Sequence, residues 1–138
     1  MENNAKVFMS VVGLLILGVI ITAIVRGGGG DVSSGPGKYD TFATCLAEKG
    51  AVFYGAFWCS HCQAQKKMFG SSAKLLPYVE CSTADARSQT QICKDKKIEG
   101  YPTWMLSDGT IVPNDTPNGA GVKLETLAEK TSCALPIE

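Results

Sequence analysis

The sequence predicts an α/β domain, a central mixed sheet flanked by helices, preceded by one N-terminal transmembrane helix. Three observations carry this. Over residues 39–138, short apolar stretches alternate with helical periodicities in the order α-β-α-β-α-β-β-α, and the chain closes on a hairpin and a helix. A C-x-x-C pair, Cys59 and Cys62, stands where the first strand runs into the next helix. Ahead of all this, an uncharged apolar run fills residues 7–25.

Composition divides the 138 residues into four parts. Residues 1–6 form a short N-terminus, 7–26 a transmembrane anchor, 27–38 a linker, and 39–138 the folded domain. Nineteen residues from Val7 to Val25 carry no charge, and as a helix they would span roughly 28 Å, close to a bilayer's hydrocarbon core. A cleaved signal peptide is the rival reading. The run is long for one, and no A-x-A site precedes "RGGGG". Lys6 and Arg26 bracket the run and give no decisive orientation. The linker "GGGGDVSSGPGK" is Gly/Ser-rich and aperiodic, a coil with an r.m.s. reach of roughly 17–21 Å.

All six cysteines, Cys45, Cys59, Cys62, Cys81, Cys93 and Cys133, lie in the domain. An even count behind an export-type N-terminus points to an oxidising compartment. The expected topology is therefore a single-pass cell-membrane protein, N-terminus cytoplasmic and domain extracytoplasmic. The chain has 13 Lys/Arg against 13 Asp/Glu. That balance leaves no electrostatic footprint for nucleic acid.

The elements follow in order. Asp40 is placed to cap a helix whose Phe42, Cys45 and Leu46 recur at i, i+3, i+4, and Gly50 ends it. "AVFYGAF", Ala51 to Phe57, reads as a buried strand. The next helix begins at the C-x-x-C, with Ala64, Met68 and Leu75 on one face and Lys66, Lys67 and Lys74 towards water. Gly70 is placed to bend it and Pro77 to stop it. "PYVEC" is a second strand, Pro77 to Cys81. Ser88 and Gln91 resemble a capping box for a short helix that ends near Gly100. "TWMLSDGTIVP" reads as two strands joined at Ser107-Asp108-Gly109. Pro113 to Gly121 is a surface loop, and Leu124, Leu127 and Ala128 mark a last helix.

At the start of a helix, the Cys59 sulfur faces unpaired backbone N–H groups and the positive end of the dipole. Both favour a thiolate. Cys62, one turn in, is more enclosed and reaches back to the same sulfur. An exposed attacking thiol and a shielded resolving thiol make a dithiol/disulfide switch that works through a mixed disulfide. His61 lies between them; as imidazolium it would tune Cys59, or else it is a solvated side chain without a role. Zinc is the rival use of such a pair. It wants four ligands, and no second C-x-x-C exists here, so no metal is expected. An inert staple is the remaining alternative. "GYPTW", Gly100 to Trp104, supplies an X-Pro bond at Tyr101-Pro102, a site for a cis peptide in a tight turn or for an ordinary trans strand start.

"WCSHC" after an aromatic strand, with "GYPTW" some forty residues on before a hairpin and final helix, resembles the thioredoxin fold, over essentially all of Tyr39 to Ala134. The resemblance implies Cys59 as nucleophile, Cys62 as resolving thiol, and Trp58, Tyr101 and a cis Pro102 as the surface that binds the incoming chain. More narrowly, "FYGAFWCSHCQAQKKMFG", "LPYVEC" and "KIEGYPTW" are similar to the thioredoxin-like domain attached to bacterial and plant homologues of vitamin K epoxide reductase. In that family a membrane domain passes electrons to a quinone. The single apolar run expected here could not house such a quinone site, so the resemblance implies a separate membrane partner. Two departures stand out. Thioredoxins carry a buried acid six residues before the first active-site Cys, where this chain has Phe53. Ser60-His61 replaces the Gly-Pro of reducing thioredoxins. Both point towards oxidation.

The resemblance also pairs Cys81 with Cys93 in a structural disulfide, the alternative being a second electron relay. Cys45 and Cys133 stand near the two ends of the domain and either pair or remain free thiols. The resulting expectation is a membrane-anchored, extracytoplasmic thiol–disulfide oxidoreductase. It would need no cofactor, oxidise secreted or periplasmic protein thiols, and be reoxidised by a quinone-reducing membrane protein of the vitamin K epoxide reductase type. The rivals are an anchored reductant, for example in cytochrome c maturation, and a non-catalytic peptide-binding or chaperone module.

Overall fold

The computed structural model describes residues 36–137, all within the compact unit Gly35–Glu138. The first helix, α1, runs Asp40–Glu48 and buries Phe42, Ala43 and Leu46. Its end is a Schellman turn. Gly50 takes φ +73°, its N–H donates to Ala47 O, and the Ala51 N–H donates to Leu46 O. Asp40 is not the cap. Tyr39 occupies that position, and the Asp40 carboxylate instead accepts the Gly37 N–H at 2.8 Å, closing the turn before the helix.

The first strand, β1, is shorter than its apolar run: Val52–Gly55, not Ala51–Phe57. Ala56 already belongs to a turn, its carbonyl accepting the Cys59 N–H. Helix α2, Ser60–Met68, gives way to a 3₁₀ helix, Gly70–Leu75. The break falls at Gly70, which adopts φ +55°. The buried face of α2 is Cys62 and Gln65; the expected face is displaced, with Ala64 and Leu75 exposed. Strand β2, Tyr78–Glu80, follows. Then come α3, Gln91–Asp95, the hairpin strands β3, Thr103–Met105, and β4, Ile111–Val112, and finally α4, Leu124–Thr131. Ser88 forms no capping box. Its N–H and carbonyl are engaged by Thr83, and Thr90 precedes α3.

The sheet order is β2-β1-β3-β4, with β1 parallel to β2 and antiparallel to β3. Register pairs Phe53 with Tyr78 and Trp104, and Gly55 with Glu80. Since side chains alternate between faces, Phe53, Gly55, Tyr78, Glu80 and Trp104 share one face. Phe53 stacks on Trp104 with ring centroids 5.0 Å apart and meets Tyr78 edge-on at 5.2 Å. Phe42, Leu46, Phe69, Leu124 and Leu127 complete that core. On the opposite face Tyr54 packs with Cys81, Cys93 and Ile98. This is a mixed α/β thioredoxin-like fold.

The expected membrane architecture needs correction. No helix among the described residues is long and apolar enough to cross a membrane. The longest have nine residues, about 14 Å against a hydrocarbon core of about 30 Å. Residues 1–6, the expected anchor 7–26 and most of linker 27–38 lie outside the described residues. A membrane-anchored chain with a transmembrane helix, single-pass topology and an extracytoplasmic domain is therefore not what the structure supports; a thioredoxin-like domain is.

Candidate dithiol site

The sheet delivers β1 into a tight turn whose last residue, Cys59, is the N-cap of α2. Its backbone is extended, φ −75° and ψ 113°, and its sulfur accepts the Cys62 N–H at 3.1 Å. The sulfur thus takes the place usually held by a capping oxygen, at the positive end of the helix. Cys59 keeps 8% of its surface exposed and Cys62 none. Neither is bonded to another cysteine. Burial, then the hydrogen bond with Cys59, pushes the Cys62 thiol up to about 12, while the Ala56 backbone and Lys66 pull the other way. Both cysteines are buried, where an exposed attacking thiol was expected; Cys59 alone keeps a little surface, and Cys62 holds its proton.

Around this pair the loop is pinned from three sides. Half-exposed Trp58 donates its indole N–H to Ser82 Oγ at 2.8 Å and meets the Tyr101 ring edge-on at 6.1 Å. The Phe57 N–H donates to Glu80, and the Gln63 amide donates to Phe57 O. Tyr101-Pro102 is a cis peptide, and Pro102 is buried. Gln89 donates to both Tyr101 Oη and Ile98 O. A cavity of about 150 Å³ opens between Trp58, Ser82, Arg87, Gln89 and Tyr101. His61 is exposed in the first turn of α2.

The other four cysteines are bonded in pairs. Cys81–Cys93 spans the segment that carries Ser82 and Gln89, so this bridge holds the wall against which Trp58 and Tyr101 rest. Cys45–Cys133 joins α1 to the residues after α4. Among the described residues, no three His, Cys, Asp or Glu side chains gather to hold a metal.

Sequence reasoning missed Gln65. It is wholly buried, and its amide makes a two-way bond with the Val122 backbone: Nε2 donates to the carbonyl at 3.0 Å and Oε1 accepts the N–H at 2.6 Å. It latches the site helix to the loop before α4. Gly121 leaves the room, since a Cβ there would lie 2.2 Å from Gln65 Oε1. The only sequence signal was its place three residues after Cys62, on the buried side of the helix. Tyr78 and Glu80 were missed as well; they read only as strand residues.

Fold and site together define a thioredoxin-fold protein with a free dithiol at a helix N-terminus and cysteines consistent with redox activity. A sequence profile described as Thioredoxin matches residues 38–131, and the chain belongs to the thioredoxin family. Among curated relatives, thiol-disulfide oxidoreductase LTO1 of Arabidopsis thaliana is 41% identical over 110 residues, covering 76% of this chain and 27% of that protein. The thioredoxin domain-containing protein 5 homolog of Drosophila melanogaster is 33% identical over 104 residues, 72% of this chain and 25% of that protein. A protein disulfide-isomerase of Aspergillus oryzae is 32% identical over 77 residues, 51% and 14% respectively. The chain thus spans about a quarter or less of the length of these relatives.

Proposed function

We propose that the chain is a protein thiol–disulfide oxidoreductase that works through Cys59 and Cys62. The observation that carries this reading is the Cys59 sulfur at the α2 N-cap, accepting the N–H of a fully buried Cys62. The similarity to a relative named as a thiol-disulfide oxidoreductase supports it. In the oxidised state, a substrate thiolate attacks Cys59, a Cys59–substrate disulfide forms, and the Cys59–Cys62 bond breaks with the electron pair on Cys62. The second substrate thiolate then attacks the substrate's own bridged sulfur and expels Cys59. Two electrons have moved from the substrate to the dithiol, and the expelled Cys62 has taken up a proton. Trp58, Tyr101 and Pro102 line the surface assigned to the incoming chain. His61, exposed in the first turn of α2 beside Cys59, is the residue proposed to tune it. For reoxidation, the family resemblance favours a quinone-reducing membrane protein of the vitamin K epoxide reductase type.

The test is a trap. Reduced Cys62→Ser protein mixed with a disulfide-linked peptide should form a stable one-to-one adduct at Cys59, seen by intact mass and removed by dithiothreitol. Cys59→Ser should form none. An adduct of equal yield in both variants, or in neither, would overturn the assignment.

A further inference from the structure

Exchange at this site leaves one chemical problem unsolved. Whichever way electrons flow, Cys62 must gain a proton when it is expelled and lose it when it attacks, yet it has no exposed surface. The groups that face it are few. Cys59, the Ala56 backbone and Lys66 lie around its sulfur, and across Gly55 comes the ring of Tyr78, whose hydroxyl is bonded to Glu80. Tyr101 lies across the loop, against Trp58.

Register makes the β2 pair the important one. Glu80 stands opposite Gly55 and Tyr78 opposite Phe53, all on the face that α2 covers. Gly55 has no side chain to fill the space. A Cβ there would lie 2.9 Å from Tyr78 Cε2 and 3.1 Å from Cys62 Sγ. The ring edge and the sulfur therefore approach across the bare glycine, no more than about 6 Å apart. The Tyr78 hydroxyl donates to Glu80 Oε2 at 2.8 Å, while Glu80 Oε1 accepts the N–H groups of Phe57 and Ser82. Lys66 Nζ sits 3.5 Å over the Tyr78 ring and steadies it. Glu80 is only half-buried, so its other side reaches water.

We propose that Glu80, acting through the Tyr78 hydroxyl, is the proton-exchange partner of Cys62. The proposal rests on the dithiol-exchange reading above. When Cys62 attacks a mixed disulfide, the Cys59–Cys62 bond forms and the Cys59–substrate bond breaks. The substrate sulfur leaves as a thiolate with the electron pair. The Cys62 proton passes to the Glu80 carboxylate and on to water. In the opposite direction Glu80 returns it to the expelled Cys62. Burial, then the Glu80 hydrogen bond and charge, pushes the Tyr78 phenol above its ordinary range, so the phenol stays neutral and the charge is left to the carboxylate. The position that holds an acid in thioredoxins is Phe53 here; the carboxylate reaches the site from the neighbouring strand.

The experiment uses the reduced protein and an aromatic disulfide that releases one coloured thiolate at each step, followed by stopped flow. The first phase reports attack by Cys59, the second resolution by Cys62. General acid–base partners of this kind typically contribute about 10²–10⁴-fold. Glu80→Gln and Tyr78→Phe should each slow the second phase more than fivefold at pH 7 and leave the first within twofold. The deficit should shrink towards pH 10, where hydroxide takes the proton instead. Tyr78→Phe keeps the ring and its Lys66 contact, so it carries the test if Glu80→Gln folds poorly. A second phase within fivefold of wild type, or a deficit that does not change with pH, would overturn the proposal. Absence of both phases in the wild type would instead overturn the exchange reading itself.

Discussion

Replacing Cys45 and Cys133 together with alanine should lower the unfolding free energy by about 4–5 kcal/mol. The bridge joins residues 88 apart in sequence, and loop-closure entropy grows with the logarithm of that separation. The Cys81–Cys93 bridge, with a separation of 12, comes to about 3 kcal/mol by the same argument. Cys45–Cys133 also ties α1, which carries Phe42 and Leu46, to the chain leaving α4, which carries Leu127. Both helices cover the same sheet face. A domain of about a hundred residues has a net stability of about 5–15 kcal/mol, so this loss is a large part of the whole. Urea denaturation of the oxidised double variant measures it. A midpoint unchanged from wild type would show that the long bridge contributes nothing.

Phe53→Asp should be about as damaging, for a different reason. The Phe53 ring is fully buried, stacked on Trp104 and edge-on to Tyr78. Truncating such an aromatic costs about 3–5 kcal/mol, and a carboxylate in its place is buried among rings. Lys66 lies over the ring of Tyr78, the neighbour of Phe53, and is already engaged there. The sign of the pH dependence follows from burial. The new carboxyl would be favoured in its neutral form in the folded state, so the unfolded chain would lose its proton first. The variant's deficit against wild type should therefore grow as pH rises from about 4 to 7 and shrink in acid. Denaturation curves at the two ends of that range check it; a variant within 1 kcal/mol of wild type at pH 7 would mean that this face tolerates charge.

What the sequence showed most clearly was what depends on local pattern. The C-x-x-C at the strand–helix junction, the Gly50 helix stop and the hairpin at Asp108-Gly109 all follow from residue type and spacing. The alternation of elements followed too, because each buried stretch is short and bounded by Gly or Pro. Strand length was less legible: "AVFYGAF" is apolar throughout, and hydropathy cannot show that Ala56 accepts a turn bond from Cys59. Ser88 looked like a cap because its spacing to Gln91 is right, yet Thr83 five residues earlier competes for the same backbone.

The roles of Gln65 and Glu80 depend on tertiary register. Gln65 finds Val122 fifty-seven residues away, and Glu80 faces the site only because β2 pairs with β1 in this register. Polar residues in such places look like solvent-facing ones until the partner strand or loop is in position. The apolar run at residues 7–25 shows the reverse. It predicted a membrane helix strongly by composition, but the described residues contain no such helix, and the supported description is that of the thioredoxin-like domain.

The central claim is that Cys59 and Cys62 form the exchanging couple while the other two disulfides are structural. Equilibration in glutathione buffers of graded potential, followed by acid quench, alkylation and mass mapping, tests it directly. Cys59 and Cys62 should pass from two free thiols to one mutual disulfide as a two-electron couple, tenfold for roughly every 30 mV. Cys45–Cys133 and Cys81–Cys93 should stay bonded throughout, and the transition should vanish in Cys59→Ser. A Cys59–Cys62 pair that never bonds in any buffer, or exchange confined to the other two bridges, would contradict the account.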